Sequence, residues 1–290
     1  MNLLAIETST EFCSLAVSRG ASVHVSHVPA GQRHAEMVLG AIAALLAEAG
    51  LGVADLEGIA YGMGPGSFTG LRIACGVTQG LALARGLGVV GVCTLEALAE
   101  ESEADAVIAC LDARMGEIYH AAYVLRDSVR RDSGHRDSGR RDRDGAGQAS
   151  PSASSSFTSR WQEVIAPGLY APGDLPLAEG GGWTGIGSGF AAHGAILATR
   201  YAGHLQATLP NSVPTAAAIL RLAEPVFAAG GAKDAAEALP LYIRDKVALK
   251  KGEQKGEQKG EQKGEQKGEQ KGEQKGEQKG EQKGEQKGAT

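Results

Sequence analysis

Three short turns hold most of the side chains that could do chemistry. Each is rich in glycine or hydroxyl residues and lies beside an apolar run. The first, Glu7-Thr8-Ser9-Thr10, ends the run LLAIE and begins a tight hairpin. Hydroxyls and backbone N–H groups in such a turn can face a nucleotide phosphate, and an acid there can hold magnesium through water. The second, Gly64-Pro-Gly66-Ser67, opens the stretch GPGSFTGLRIACGVTQGLALARG and feeds a helix, whose N-terminus is the usual receiver of phosphate. The third, Gly185-Ile-Gly187-Ser-Gly189, would let a base or ribose approach the backbone. Asp112, in CLDARMGE, is the best acid beyond these and stands at a strand end. Its competing reading is a turn or cap residue before Arg114. Each turn alone is a weak signal, because glycine turns are common in an Ala- and Gly-rich chain. Their order along one chain is more informative.

Other chemistries lack their residues. No lysine precedes Lys233. Phosphoryl transfer can use arginine or backbone amides instead, but no general base stands paired with an acceptor site. RHAEM at 33–37 has one His and one Glu without the second His of H-E-x-x-H. His24 and His27 are three apart in a strand and so point to opposite faces. Cys13, Cys75, Cys93 and Cys110 form no C-x-x-C pair. All four lie in apolar segments, as buried reduced thiols of a cytoplasmic protein do. No metal site is expected. The N-terminal apolar run lacks a basic flank and is too short for a secretory signal. No stretch of eighteen apolar residues is present, so no membrane span is expected.

The elements that must position these turns read as strands alternating with helices. Asn2–Thr8 is a buried strand, and Cys13–Ser18 with Ala21–His27 is a hairpin around Arg19-Gly20. Gln32–Ala49 carries Val38, Ile42, Leu45 and Ala49 at helical spacing and is stopped by Gly50. Leu56–Tyr61 and Val89–Val92 are strands around the helix Phe68–Arg85. Leu95–Glu101 is a helix, Ala106–Asp112 and Glu117–Val124 are strands, and WTGIGSGF is a strand turning into a helix. Thr215–Ala229 is an Ala-rich helix, and LPLYIRDKVAL is a final extended segment. The class is α/β with a mixed sheet.

Composition sets the remaining bounds. The chain has 290 residues and is 42% hydrophobic but only 4% aromatic, so its core is aliphatic and closely packed. Residues 1–125 carry 5 basic and 13 acidic side chains, a poor direct match for an RNA backbone. Residues 126–160 carry 8 basic and 5 acidic side chains in a degenerate Arg-Asp-Ser-Gly repeat and a Ser-rich run, and read as a disordered insertion. From Gly252 to Lys287 the chain repeats Gly-Glu-Gln-Lys nine times. In a helix that period stacks like charges at i, i+4 and places a glycine in every turn. The tail, 250–290, is therefore expected to be disordered.

The segments LLAIETSTEFCSLAV, YGMGPGSFTGLRIACGVTQGLALA, LDARMGEIYHAAY and LPLYIRDKVALKK together resemble the TsaB (YeaZ) family of bacterial tRNA threonylcarbamoyladenosine biosynthesis proteins. The resemblance spans nearly all of 1–125 and, more loosely, 161–251, and GPGSFTGLR with DARMGE is its most specific part. It implies the actin-like ATPase (ASKHA, ribonuclease H-like) fold of two lobes, mixed sheets flanked by helices. The lobes would be 1–104, and 105–125 with 161–249. It also implies a non-catalytic subunit required for N6-threonylcarbamoyl modification of adenosine 37 in ANN-decoding tRNAs. The partner TsaD, which transfers the group, would bind helices of the first lobe, and the ATPase TsaE would join that pair. tRNA would be reached through the complex. No cofactor is expected of this chain, with ATP or ADP binding left to the complex. The catalytic paralogue carries a His-x-x-x-His metal pair where this chain has Thr94 and Leu98, and neither side chain can ligate iron or zinc. The glycine turns then read as vestigial phosphate turns. An active small-molecule kinase of the same fold is the alternative, and a metalloprotease is disfavoured for want of ligands.

Two helices carry too few charges for solvated surfaces. In 68–85 only Arg72, Gln79 and Arg85 are strongly polar, and Gly76, Gly80 and Ala84 form a stripe of small residues at intervals of four. In 32–49 the run MVLGAIAALLA is unbroken by charge. Met37, Ala41, Ala44 and Leu45 with Ile73, Val77 and Leu81 are the candidate TsaD interface. The same helices would also serve a homodimer of the free chain.

Overall fold

The structure, a computed structural model, describes residues 1–126 and 159–244. The proposed insertion, apart from its ends, and the repeat tail lie outside the described residues. In chain order the elements are β1 (Leu3–Glu7), β2 (Phe12–Arg19), β3 (Ser22–Pro29), α1 (His34–Glu48), β4 (Gly58–Gly64), α2 (Phe68–Arg85), β5 (Gly88–Cys93), α3 (Thr94–Glu100), β6 (Ala106–Asp112), β7 (Ile118–Leu125), β8 (Trp161–Tyr170), β9 (Trp183–Ile186), α4 (Ser188–Ala192), α5 (Gly194–Arg200), β10 (Leu205–Leu209) and α6 (Ala216–Ala228).

Two five-stranded sheets form, ordered β3-β2-β1-β4-β5 and β10-β9-β6-β7-β8. They are the same sheet built twice. In each, the first three strands are an antiparallel meander, and the fourth and fifth then pair parallel on the other side of the first. β6 is thus the counterpart of β1, and the β9–α4 turn is the counterpart of the β4–α2 turn. Parallel pairs need crossover helices, which α2 supplies in the first sheet and α4 with α5 in the second.

The layers follow from which face of each strand is apolar. Leu4 and Ile6 of β1 pack outward with Val38, Ile42, Leu45 and Leu46 of α1 and Ala74, Cys75 and Ala82 of α2. Leu3 and Ala5 pack inward with Leu95 and Leu98 of α3, Ile219 and Leu222 of α6, and Val107, Ala109 and Leu111 of the second sheet. A third cluster joins Ile108, Cys110 and Ile118 to Phe190, Leu197 and Tyr201 outside the second sheet. The order is α1/α2, first sheet, α3/α6, second sheet, α4/α5. The two middle helices are exchanged between the halves. α6, from the end of the chain, lies on β1, β2, β4 and β5, while α3, which follows β5, lies on β6 and β7.

A buried carboxylate fixes that exchange. Glu100, on α3, accepts from the Trp161 indole Nε1 at 2.8 Å, from Arg221 of α6 at 2.9 Å and from Arg160 at 3.1 Å. Glu101 accepts from Arg221 and from the Thr215 hydroxyl that caps α6. After α6 the chain turns back as a strap. Lys233 bridges Val89, a 3₁₀ turn spans Ala235–Glu237, and Leu241 N donates to Met63 O at 2.6 Å. The expected final extended segment is this strap as far as Arg244. Against β4 it makes one backbone bond, from Leu241 N to Met63 O, rather than a strand ladder, and its remainder lies outside the described residues.

Candidate functional site

The first two glycine turns are pressed together, and each fills the other's space. Thr8 Oγ1 donates to Gly70 O at 2.8 Å, and Ser67 N donates to Ser9 O at 2.8 Å. A Cβ at Gly70 would stand 1.9 Å from Thr8 O, and one at Gly66 would stand 2.6 Å from Ser9 Cβ. Those glycines are needed so that two backbones can touch. Gly64, at φ 114°, donates its N–H to Thr94 Oγ1 at 3.1 Å, which ties the turn to the start of α3.

Several amides of these turns already have internal acceptors. Ser9 N donates to the Glu7 carboxylate, Phe12 N to Thr10 Oγ1, Gly70 N to the capping Ser67 Oγ, and Leu71 N to Ser67 O. The hairpin therefore wraps around an acid of its own, the Glu7 side chain. Glu7 is 1% exposed, and its second oxygen is buried with no hydrogen-bond partner. A Cβ at Gly62 would fall 1.8 Å from that oxygen. Burial pushes the Glu7 carboxyl up to about 7, against smaller opposing effects of the Ser9 side chain and amide. Glu7, an acid of the type that can hold magnesium through water, is buried in the hairpin.

The second sheet repeats the arrangement with different residues. Asp112 ends β6 as Glu7 ends β1, and Gly187 and Gly189 lie against Cys110, where a Cβ would come within 2.4 Å and 2.7 Å. Gly185 packs under the Phe190 ring. Asp112 N donates to Ser188 Oγ at 3.1 Å, Gly187 N to Leu209 O, and Arg114 N to Asp112 Oδ1 at 3.0 Å. Asp112 is the turn residue before Arg114, which also pairs with it at 3.2 Å. His193 stands 3.7 Å from the same carboxylate. Sequence reading passed over Ser188 and His193. They stand at the two ends of the short helix Ser188–Ala192, Ser188 opening it and His193 capping its C-terminus.

Thr94 Oγ1 accepts from Gly64, and Leu98 is wholly buried against the Gly187 turn. Both positions serve packing of α3. Among the described residues, no three His, Cys, Asp or Glu side chains come together as a metal site would need. No helix among them is long and apolar enough to cross a membrane. Cys13, Cys75 and Cys110 are buried and Cys93 partly so, and all four are free thiols.

The two apolar helices share the outer layer, and one interface residue is corrected. Leu45 is 3% exposed and belongs to the core, because it shares the sheet-facing side of α1 with Val38, Ile42 and Leu46. It is unavailable to a partner. Met37, Ala41, Ile73, Val77 and Leu81 are half-buried at the edges of that core, and Ala44 is exposed. The face turned fully outward carries Leu39, Gly40, Ala43, Ala44 and Ala47 on α1, and Gly76, Gly80, Leu83 and Ala84 on α2. A Cβ at Gly40, Gly76 or Gly80 would meet nothing within 4 Å, and Leu83 is 77% exposed. The glycines are not needed for packing inside this chain.

Two copies of a 3-2-1-4-5 mixed sheet, with helices exchanged between them, define a two-lobed protein of the actin-like, ribonuclease H-like class. The family model for "TsaD: tRNA N6-adenosine threonylcarbamoyltransferase" matches residues 27–137. The tRNA threonylcarbamoyladenosine biosynthesis protein TsaB of Haemophilus influenzae is 32% identical over 257 residues, covering 87% of this chain and 97% of that protein. The Escherichia coli protein of the same name is 41% identical over 127 residues, 42% of this chain and 55% of that protein. YeaZ from Pseudomonas aeruginosa superposes with a TM-score of 0.67 at 30% identity, over 83% of this chain and 99% of that one. The chain belongs to the TsaB (YeaZ) family.

Proposed function

We propose that the chain serves tRNA threonylcarbamoyladenosine synthesis as an accessory subunit, docking the threonylcarbamoyltransferase TsaD on the outward face of α1 and α2. The observation that carries this is the bare stripe of Gly76 and Gly80. Glycine within a helix costs about 1 kcal/mol each against alanine, and nothing in the chain needs the space above them. A second helix brought close by such a stripe makes use of it. The match of the transferase family model to residues 27–137, which include both helices, supports a partner with a similar face of its own. TsaE would join the assembled pair, and tRNA and any nucleotide would be held by the complex.

The internal bonds of these turns support a subunit without chemistry of its own. A kinase reading needs the amides that Glu7, Thr10, Ser67, Thr94 and Ser188 now occupy. The test places Arg at Gly80. The helix keeps its fold, because the space is open, while close approach is blocked. Gly80→Arg should lose TsaD co-purification and tRNA modification in a reconstituted system, with its unfolding midpoint no lower than native, since Arg is a better helix former than Gly. Native partner binding by this variant sinks the proposal, as does ATP turnover by the isolated chain.

A further inference from the structure

We propose that the strap after α6 forms part of the same docking face, with Tyr242, Arg72 and Phe68 as its anchor. This rests on the docking reading above. The α1–α2 face alone is smooth. Between Glu36, Glu48 and Arg85, its outward residues are mostly Gly and Ala with two leucines, and small residues permit close approach but bury little area. Tight protein interfaces draw most of their affinity from a few large side chains, chiefly aromatic residues and Arg. On this layer those side chains stand at the strap.

The strap runs beside α2 on the flank away from α1. Gln79 Nε2 donates to Ala238 O at 3.0 Å, and Tyr61 OH donates to Leu239 O at 3.1 Å. Arg72 Nε donates to Tyr242 OH at 2.9 Å, and its guanidinium lies 3.9 Å from the Phe68 ring centre. The Phe68 and Tyr242 rings are 5.4 Å apart. Phe68, Arg72, Gly76 and Gly80 fall at intervals of four on one stripe of α2, so the anchor is continuous with the glycine stripe. Leu239 is 62% and Tyr242 45% exposed, although both are in a segment fixed by backbone hydrogen bonds. A preformed anchor loses little freedom on binding. Its occupant is the transferase subunit and not RNA. The first 125 residues hold 13 acidic against 5 basic side chains, a field that repels phosphate.

The test measures TsaD affinity of the full chain by biolayer interferometry. Tyr242→Ala should weaken binding about 10–30-fold, Arg72→Ala comparably, and the double variant no more than about twofold beyond the worse single one, since the two act as a unit. Tyr242→Phe keeps the ring and should recover most of the affinity. Thermal midpoints should stay with the native protein, because Tyr242 lies on the surface. Binding within twofold of native by Tyr242→Ala, with Gly80→Arg inactive, overturns the anchor and leaves the docking reading standing. Native binding by Gly80→Arg overturns the docking reading itself. A Tyr242→Ala effect confined to self-association also overturns the anchor.

Discussion

Replacing Glu7 with Gln changes how stability depends on pH. The folded Glu7 carboxyl titrates near 7 against a reference of 4.5, so folded chains hold its proton where unfolded chains have released it. A raised acid contributes its full stability below pH 4.5 and loses it as pH rises through 7. The interval of 2.5 pH units corresponds to about 3 kcal/mol at neutral pH and above. His120 acts in the opposite sense. Burial holds its imidazole down at about 4, so its contribution is lost as pH falls below 6.5. The two slopes partly cancel in the native chain, and the variant must be compared with the native protein at each pH. Urea unfolding followed by circular dichroism at pH 5, 6, 7 and 8 supplies both curves. Gln accepts from Ser9 N as Glu does, and any penalty for its buried amide is the same at every pH. The variant should therefore gain about 2–3 kcal/mol on the native chain between pH 5 and pH 8. Parallel curves would refute the sealed carboxylate and restore Glu7 as a solvated ligand.

Three further outcomes follow from the packing. Leu45→Asp should cost about 3–5 kcal/mol, since it places a charge in the outer core, whereas Leu83→Asp should leave the urea midpoint unchanged and abolish TsaD binding. Gly80→Ala should raise stability by about 0.5–1 kcal/mol, visible as a higher thermal midpoint, with partner affinity unchanged or modestly lower. Glu100→Ala should cost about 2 kcal/mol in urea unfolding. That is less than the 3–5 of a fully buried pair, because Arg160 and Arg221 are half-exposed and regain water.

Local signals in the sequence located most elements. Phe68–Arg85 is legible to the residue, because Ser67 caps it and Gly86 ends it in the left-handed conformation, φ 64°. Ala106–Asp112 is legible because its apolar run is bounded by charge. Helix phase was less secure. Leu45 and Ala44 are neighbours in a run with no polar marker, and one residue of phase separates core from surface. Nothing local marks β8, which carries Pro167 and Gly168, nor the short strand β10. The site was legible as three turns but not as a filled one. The bonds that fill it join Thr8 to Gly70 and Gly64 to Thr94, and the strap joins Arg72 to Tyr242 across 170 positions. Spacing along the chain carries no information on such pairs.

The exchange of middle helices has a consequence for how the protein is made. The inner face of β1, at residues 3–7, is covered by α6, at residues 216–228. Translation proceeds at roughly 5–20 residues per second, so for at least several seconds the nascent first lobe shows its inner apolar face to solvent. It cannot complete itself until α6, the last α-helix among the described residues, has emerged. The chain should thus depend on chaperones during synthesis more than a lobe of its size would, and a first lobe expressed alone should be insoluble until α6 is supplied in trans.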